Sequence, residues 1–279
     1  MHRVSAREPF ITFLSDYGLQ DEFVGICHGV IARRCPRARV IDITHEIPPQ
    51  DVLVGARTLR DSVRFMPAGV HLAVVDPGVG ASGAMARRAV ALRTRHEDRW
   101  LVGPDNGLLA PAADALGGVS EAFDLGASPE RLLPVSDTFH GRDVFAPVAA
   151  ALADGAQPES VGEPLDPTAL KGLLLPAAGT SGGTLRAHVV NIDRFGNVAL
   201  DGTAEQLESI GLRLASEVQI EAHGQLGAAI RARTFADVPP GALLLYLDAR
   251  EMVALAVNEG SAAQTLGLCH GDAVEVRPR

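Results

Sequence analysis

The chain has 279 residues, 47% hydrophobic and 21% charged, which is enough apolar side chain for one large domain or two smaller ones. A net charge of −9 and an aromatic content of 4% argue against nucleic acid or an anionic membrane as the main partner. No stretch approaches the roughly 20 apolar residues of a membrane span, and residues 1–9 are short and charged with no secretory pattern after them. Cys27, Cys35 and Cys269 are scattered, make no CxxC pair and no disulfide framework, and fit a reducing cytoplasm.

In chain order, residues 10–14 read as a strand. Residues 20–34 read as a helix, with Phe23, Ile26, Cys27, Val30 and Ile31 on one face at helical spacing. A strand at 39–43 and a helix at 52–65 follow. An apolar run from Val70 ends at Val75-Asp76-Pro77-Gly78-Val79-Gly80, then come strands at 88–92 and 100–102 and helices at 108–116 and 144–153. Strand and helix alternate, which predicts a layered α/β domain over residues 1–174. Residues 175–184 contain Pro176, Gly179, Ser181, Gly182 and Gly183, a linker composition. Beyond it, short strands at 187–192, 197–200, 217–220, 228–233, 243–247, 252–257 and 273–276 predict a smaller all-β, barrel-like domain over 185–279.

Open α/β sheets bind ligands at the carboxyl ends of their strands. Asp16, after the first strand, stands where it accepts both hydroxyls of a ribose or shapes the turn; Asp21 favours a helix N-terminus. Asp76 follows an apolar run and precedes Pro-Gly, so it serves chemistry at the strand end or turn geometry. His140 lies in Thr138-Phe139-His140-Gly141-Arg142-Asp143, a proton carrier crowded by charge or a structural helix-start residue. Asp193, Phe195 and Asn197 fit a hairpin turn that also offers an amide and an aromatic face to a purine. Arg250 is a carboxylate clamp or a solvated arginine. GxxxxGK[ST], HExxH and paired-Cys patterns are absent, which weakens P-loop and zinc readings, while Gly78 to Gly83 and Gly179 to Gly183 match GxGxxG and GxSxG by spacing alone. Spacing alone leaves a metal set of Asp16, Asp21, Asp76 and His140 open.

Three of these motifs, Ser15-Asp16-Tyr17-Gly18 with Asp21, Val75 to Gly80, and Thr138 to Asp143, occur in the order and separation of one family. The chain closely resembles the S-adenosyl-L-methionine (SAM) hydrolases, also called SAM hydroxide adenosyltransferases, relatives of the fluorinating and chlorinating enzymes. Asn191 to Asn197 and Val257-Asn258 with Gly260-Ser261-Ala262 support the resemblance, which runs from about Phe10 to Val276. It implies hydrolysis of SAM to adenosine and L-methionine by water attacking the ribose C5′, with SAM as substrate and no cofactor or metal. It implies a homotrimer whose active sites lie between the N-terminal domain of one subunit and the β-domain of its neighbour.

The resemblance assigns a catalytic set of Asp76, Arg87 and His140. Arg88 is the alternative to Arg87, because residues 81–86 intervene where the family's arginine pair follows the glycine turn closely. Asp16 would hold the ribose diol, Asp21 and Asp193 the methionine ammonium, and Arg250 its carboxylate. Asn197 and the backbone around Asn258 would hold adenine, and the turn offers the Phe195 ring beside them. Hydrolase relatives often carry an aromatic at the position of Arg250. A SAM- or adenosine-binding sensor without turnover, and a metal-dependent hydrolase, are the competing functional readings.

Overall fold

The computed structural model describes residues 8–83 and 86–279, so residues 1–7 of the N-terminal segment and Ala84 and Met85 of the 81–86 stretch lie outside the described residues. The chain divides into two compact units, Met1–Leu175 and Pro176–Arg279.

The first unit opens with β1 (Phe10–Ser15), α1 (Phe23–Arg34), β2 (Arg39–Thr44), α2 (Val52–Val63) and β3 (Val70–Val74). It continues with β4 (Ala89–Thr94), β5 (Trp100–Pro104), α3 (Ala110–Ala115) and β6 (Val119–Asp124). A π-helical turn at Gly141–Phe145 leads into α4 (Ala146–Ala153), followed by α5 (Pro158–Val161) and β7 (Glu163–Leu165). The strands form one sheet in the order β2-β1-β3-β5-β4-β6-β7. β2, β1, β3 and β5 are parallel, and β4, β6 and β7 join antiparallel.

Burial explains the central strands. Every residue of β3 is buried, as a strand covered on both faces requires. On β1 the side chains alternate between two cores: Ile11 and Phe13 pack with α1 and α4, and Leu14 packs with α2 and α3. α4 is buried almost throughout and rich in alanine, so it lies close on the sheet. α2 starts at Asp51, whose carboxylate accepts the Val54 N–H at 2.9 Å. In the helix read over 20–34, residues 20–22 remain outside α1. The helix read from 144 starts regular geometry at Ala146, after the π-helical turn. β6 was not anticipated, because exposed Ser120 and Glu121 break its apolar pattern.

The second unit contains β8 (Gly179–Ser181), β9 (Thr184–Ile192), β10 (Val198–Thr203), α6 (Ala204–Ser209), β11 (Glu217–Ala222) and β12 (Gln225–Arg231). β13 (Leu243–Leu247), β14 (Met252–Val257), α7 (Ala262–Leu266) and β15 (Ala273–Pro278) complete it. The strand order β10-β14-β13-β12-β11-β15-β9 closes through a β9–β10 pairing into a seven-stranded barrel, with β8 appended to β9. Alternate residues such as Val218, Ile220, Val274 and Val276 fill its interior. Gly179–Ser181, part of the stretch read as linker, is therefore a strand, paired with β9 across the Gly182-Gly183 turn. Its small polar composition suits that tight hairpin as well as it suits a linker.

Candidate active site

β1 and β3 are neighbours in the sheet, while α1 leads from β1 to β2 on one side and α2 leads from β2 to β3 on the other. The sheet order thus reverses between them, and their carboxyl ends form the crevice where open α/β sheets hold ligands. Asp16 stands immediately beyond β1 and Asp76 two residues beyond β3. The Asn106 amide donates to the Val75 carbonyl at 2.8 Å and fixes the end of that strand.

Two close approaches bring the third motif to this crevice. Gly80 has φ +72°, and a Cβ there would lie 2.3 Å from the Asp137 carbonyl oxygen. A Cβ on Gly141 would lie 2.1 Å from the Tyr17 hydroxyl. Only glycine lets the 76–80 turn and the Tyr17 ring pack this tightly against the segment carrying His140. Tyr17, Phe23 and Phe139 form an edge-packed cluster beneath, with ring centroids 5.1–5.8 Å apart.

Asp76, Arg87 and His140 form a continuous row. Arg87 Nε donates to both Asp76 oxygens, at 2.9 and 3.0 Å, and its Nη2 also donates to Asp76 Oδ2. The same Nη2 lies 2.8 Å from His140 Nδ1. A guanidinium only donates, so Nδ1 accepts and the imidazole is the neutral tautomer carrying its proton on Nε2. The Asp76 and Arg87 side chains are 6% and 9% exposed, and the Arg87 guanidinium stacks 5.4 Å from the Phe145 ring centre. Arg88 points elsewhere: its Nε donates to buried Asp105 at 3.0 Å, and its Nη2 donates to the Ala169 carbonyl. Of the two arginines the sequence leaves open, Arg87 is the one in the row.

Burial, and next the Arg87 charge, hold His140 below its ordinary 6.5, consistent with a neutral ring. Burial raises Asp16 above its usual 3.8 against the pull of the Gln50 N–H, which Asp16 Oδ2 accepts at 2.9 Å; the Asp76 charge adds to the rise. Gln50 was not singled out from the sequence, and Tyr17 only as part of the Ser15 to Gly18 motif, since both act by position rather than residue type. Asp21 is exposed in the loop before α1. An ionised carboxylate with unused lone pairs, a fixed guanidinium and a neutral imidazole N–H can together hold and polarise one water molecule.

In the barrel unit the other candidates stand at both ends of β14: Asn258 and the 193–197 turn at its carboxyl end, and Arg250 in the β13–β14 turn at its amino end. Asp193 Oδ1 accepts from the N–H groups of Phe195 and Asn197 at 2.8 and 3.0 Å, and its Oδ2 accepts from the Asn197 amide at 2.8 Å. Ala263 N donates to the Gly196 carbonyl at 3.0 Å, which brings this turn against the start of α7, close after Asn258. Phe195 is 70% exposed. The Asn258 amide donates to the Val238 carbonyl at 2.8 Å. Arg250 is engaged by Asp248 Oδ2 at 2.9 and 3.0 Å. Burial, and then the charges of Asp193 and Asp248, raise the Tyr246 hydroxyl above 10, so Tyr246 belongs to the same polar neighbourhood.

Asp16, Asp21, Asp76 and His140 do not converge as metal ligands. Among the described residues, the group whose ligand atoms do converge is His28, Asp42 and His45. The three cysteines are free, Cys27 and Cys35 buried and Cys269 exposed.

Comparison with known proteins matches residues 11–162 to the SAM hydroxide adenosyltransferase N-terminal domain and residues 187–275 to the C-terminal domain of the same family. The chain is 49% identical to a protein of Salinispora arenicola named (R)-S-adenosyl-L-methionine hydrolase, over 97% of this chain and 98% of that one. It is 31% identical to a fluorinase of Nocardia brasiliensis over 99% of both chains. The crystal structure of an uncharacterized conserved protein from Thermotoga maritima superposes with a TM-score of 0.87 at 35% identity, covering 96% of this chain and 99% of that one. With both domain models matched in order and near-complete coverage at high identity, the chain belongs to the SAM hydroxide adenosyltransferase family.

Proposed function

We propose that this chain hydrolyses S-adenosyl-L-methionine to adenosine and L-methionine. The observation that carries the reading is the buried Asp76–Arg87–His140 row beside Asp16 at the reversal of the sheet order. The reaction begins with a sulfonium, already a good leaving group. The difficulty is the nucleophile, since bulk water has a pKa near ~15.7. In this reading Asp76 accepts a proton from the attacking water, Arg87 holds that carboxylate in place, and the His140 Nε2–H orients the water oxygen. The oxygen bonds to C5′ as the C–S bond breaks, the electron pair stays on sulfur as the thioether of methionine, and the proton leaves through Asp76 to solvent. Asp16 accepts the ribose hydroxyls and so sets the C–S bond in line with the water, an orientation that contributes several kcal/mol of rate acceleration, on the order of 7 when complete. No metal or cofactor enters any step.

The adenine and methionine ends fall to Asp21, Asp193, Phe195, Asn197, Arg250 and Asn258. The assembly is a homotrimer, in which the α/β unit of one subunit and the barrel of a neighbouring subunit serve the same SAM. The Salinispora relative's name specifies the R sulfonium, and this chain takes that epimer too. The test is to incubate pure protein with each separated SAM epimer, with and without EDTA, and chromatograph the products. Adenosine and methionine form in equal amounts from the R epimer in both conditions. Tight SAM binding without products would make the chain a sensor. Activity lost in EDTA and restored by a divalent ion would make it a metal-dependent hydrolase.

A further inference from the structure

His28 on α1, Asp42 on β2 and His45 just beyond β2 come together on the α1 side of the sheet, with no member of the catalytic row among them. Their ligand atoms all lie within 4.8 Å of one another. His28 Nε2 is 2.9 Å and His45 Nε2 is 3.1 Å from the same oxygen, Asp42 Oδ1. His28 and Asp42 are partly exposed, so an ion can enter, whereas the His45 side chain is 2% exposed. His45 Nε2 makes no hydrogen bond although it is buried and aimed at the cluster. Either state of that nitrogen is unfavourable as the protein stands: an N–H there is an unsatisfied buried donor, and a lone pair there faces a carboxylate oxygen. A cation between the three groups resolves both.

The surroundings fit an ion as well. His45 Nδ1 is 2.7 Å from Ser15 Oγ, the outer partner that fixes a metal-bound imidazole with its Nε2 lone pair toward the ion. The Phe13 ring packs edge-on against His45 at 4.6 Å and lies 6.1 Å from His28, an apolar floor. Bonds of about 2.0–2.2 Å to a tetrahedral ion put donors about 3.3 Å apart, and the two imidazole–carboxylate separations are 2.9 and 3.1 Å. Two imidazoles and one carboxylate exclude Mg²⁺ and Ca²⁺, which want oxygen, and suit Zn²⁺ or Co²⁺, with water in a fourth position.

We propose that His28, Asp42 and His45 bind a divalent transition-metal ion of the zinc class. The ion touches none of Asp76, Arg87 and His140, so it is a brace. It would tie α1 to β2 and to the His45 segment, whose carbonyl accepts the Gly18 N–H at 2.7 Å and whose ring holds Ser15. Those two residues flank Asp16. The proposal does not rest on the hydrolase reading, and its test does not use turnover.

The full chain, freed of metal by chelation, is titrated with Co²⁺ and followed by visible absorption and equilibrium dialysis. One Co²⁺ per chain binds with the d–d bands of a low-coordinate N/O site, Zn²⁺ displaces it, and Zn²⁺ raises the melting temperature. His28→Ala and Asp42→Asn, both at partly exposed positions, lower Zn²⁺ affinity at least about 10-fold and abolish the thermal shift. His223→Ala, which removes the exposed His223–Asp272 pair of the barrel, leaves both unchanged. The site is overturned if the wild-type chain binds no Co²⁺, if His28→Ala binds it as the wild type does, or if binding is lost with His223→Ala instead.

Discussion

The two units use polar side chains in opposite ways. In the α/β unit Asp76 and Arg87, 11 residues apart, and His140, 53 residues further on, satisfy one another across the crevice, Asp76 and Arg87 buried. On the barrel the charged side chains have local partners: Asp193 binds Phe195 and Asn197, and Arg250 binds Asp248. A row assembled over long range holds reactive groups in one geometry and leaves specific lone pairs and one N–H for a reactant. A self-satisfied turn has spent most of its side-chain hydrogen bonds on its own shape. What it offers a ligand is backbone and ring, here the exposed face of Phe195. In the proposed reading, chemistry falls to the first unit and shape recognition of a flat base to the second.

The sharpest way to break this contrast is Asp76→Asn. It keeps the size of the side chain but removes the proton acceptor, so kcat falls about 10³-fold or more, some 4 kcal/mol, while KM changes little. A fall confined to KM would make Asp76 a binding residue like those of the barrel. Next comes the arginine pair. Arg87→Ala breaks the row and lowers kcat on the order of 10²-fold. Arg88→Ala leaves buried Asp105 short of a partner, lowers stability by about 1–3 kcal/mol and leaves kcat within about twofold. Steady-state kinetics and denaturant melts on the two variants separate these outcomes, and equal kinetic losses would dissolve the distinction.

On the barrel, Phe195→Ala removes a stacking face worth about 1 kcal/mol, so KM rises about 5- to 10-fold with kcat nearly constant. A loss of kcat there would place chemistry in the barrel. The smallest effect is in the pH profile. His140 acts as a neutral donor, and its value is held below 6.5, so the neutral form dominates above that pH. kcat/KM is flat near neutrality and falls only below pH 6.5, as the ring gains a second proton against Arg87. An acid limb lying above pH 6.5 would show that His140 is stabilised as a cation.

The central parallel strands were legible because both faces are buried, which turns β1 and β3 into apolar runs ending in carboxylates. The barrel strands were legible from alternation between Gly and Pro clusters. β6 was hidden by exposed Ser120 and Glu121, and β8 by a composition that serves hairpin and linker equally. Asp16, Asp76 and His140 stood out as polar residues at the ends of strands or at a helix start. Arg87 was preferred with Arg88 as the alternative, and the register of β4, starting at Ala89, and the bond from Asp105 N to the Arg88 carbonyl fix which side chain turns inward. His28, Asp42 and His45 carried no ligand spacing in sequence. Their meeting depends on the parallel pairing of β1 with β2 and on α1 crossing over it.

The central claim is that the row delivers water to C5′ and refuses halide, because an ionised Asp76 repels an anion in a poorly solvated pocket. The direct measurement is turnover of SAM in H₂¹⁸O containing chloride, with mass analysis of the nucleoside product. The account predicts adenosine carrying ¹⁸O at the 5′ position and no halogenated nucleoside. Unlabelled adenosine, or 5′-chloro-5′-deoxyadenosine, would contradict it.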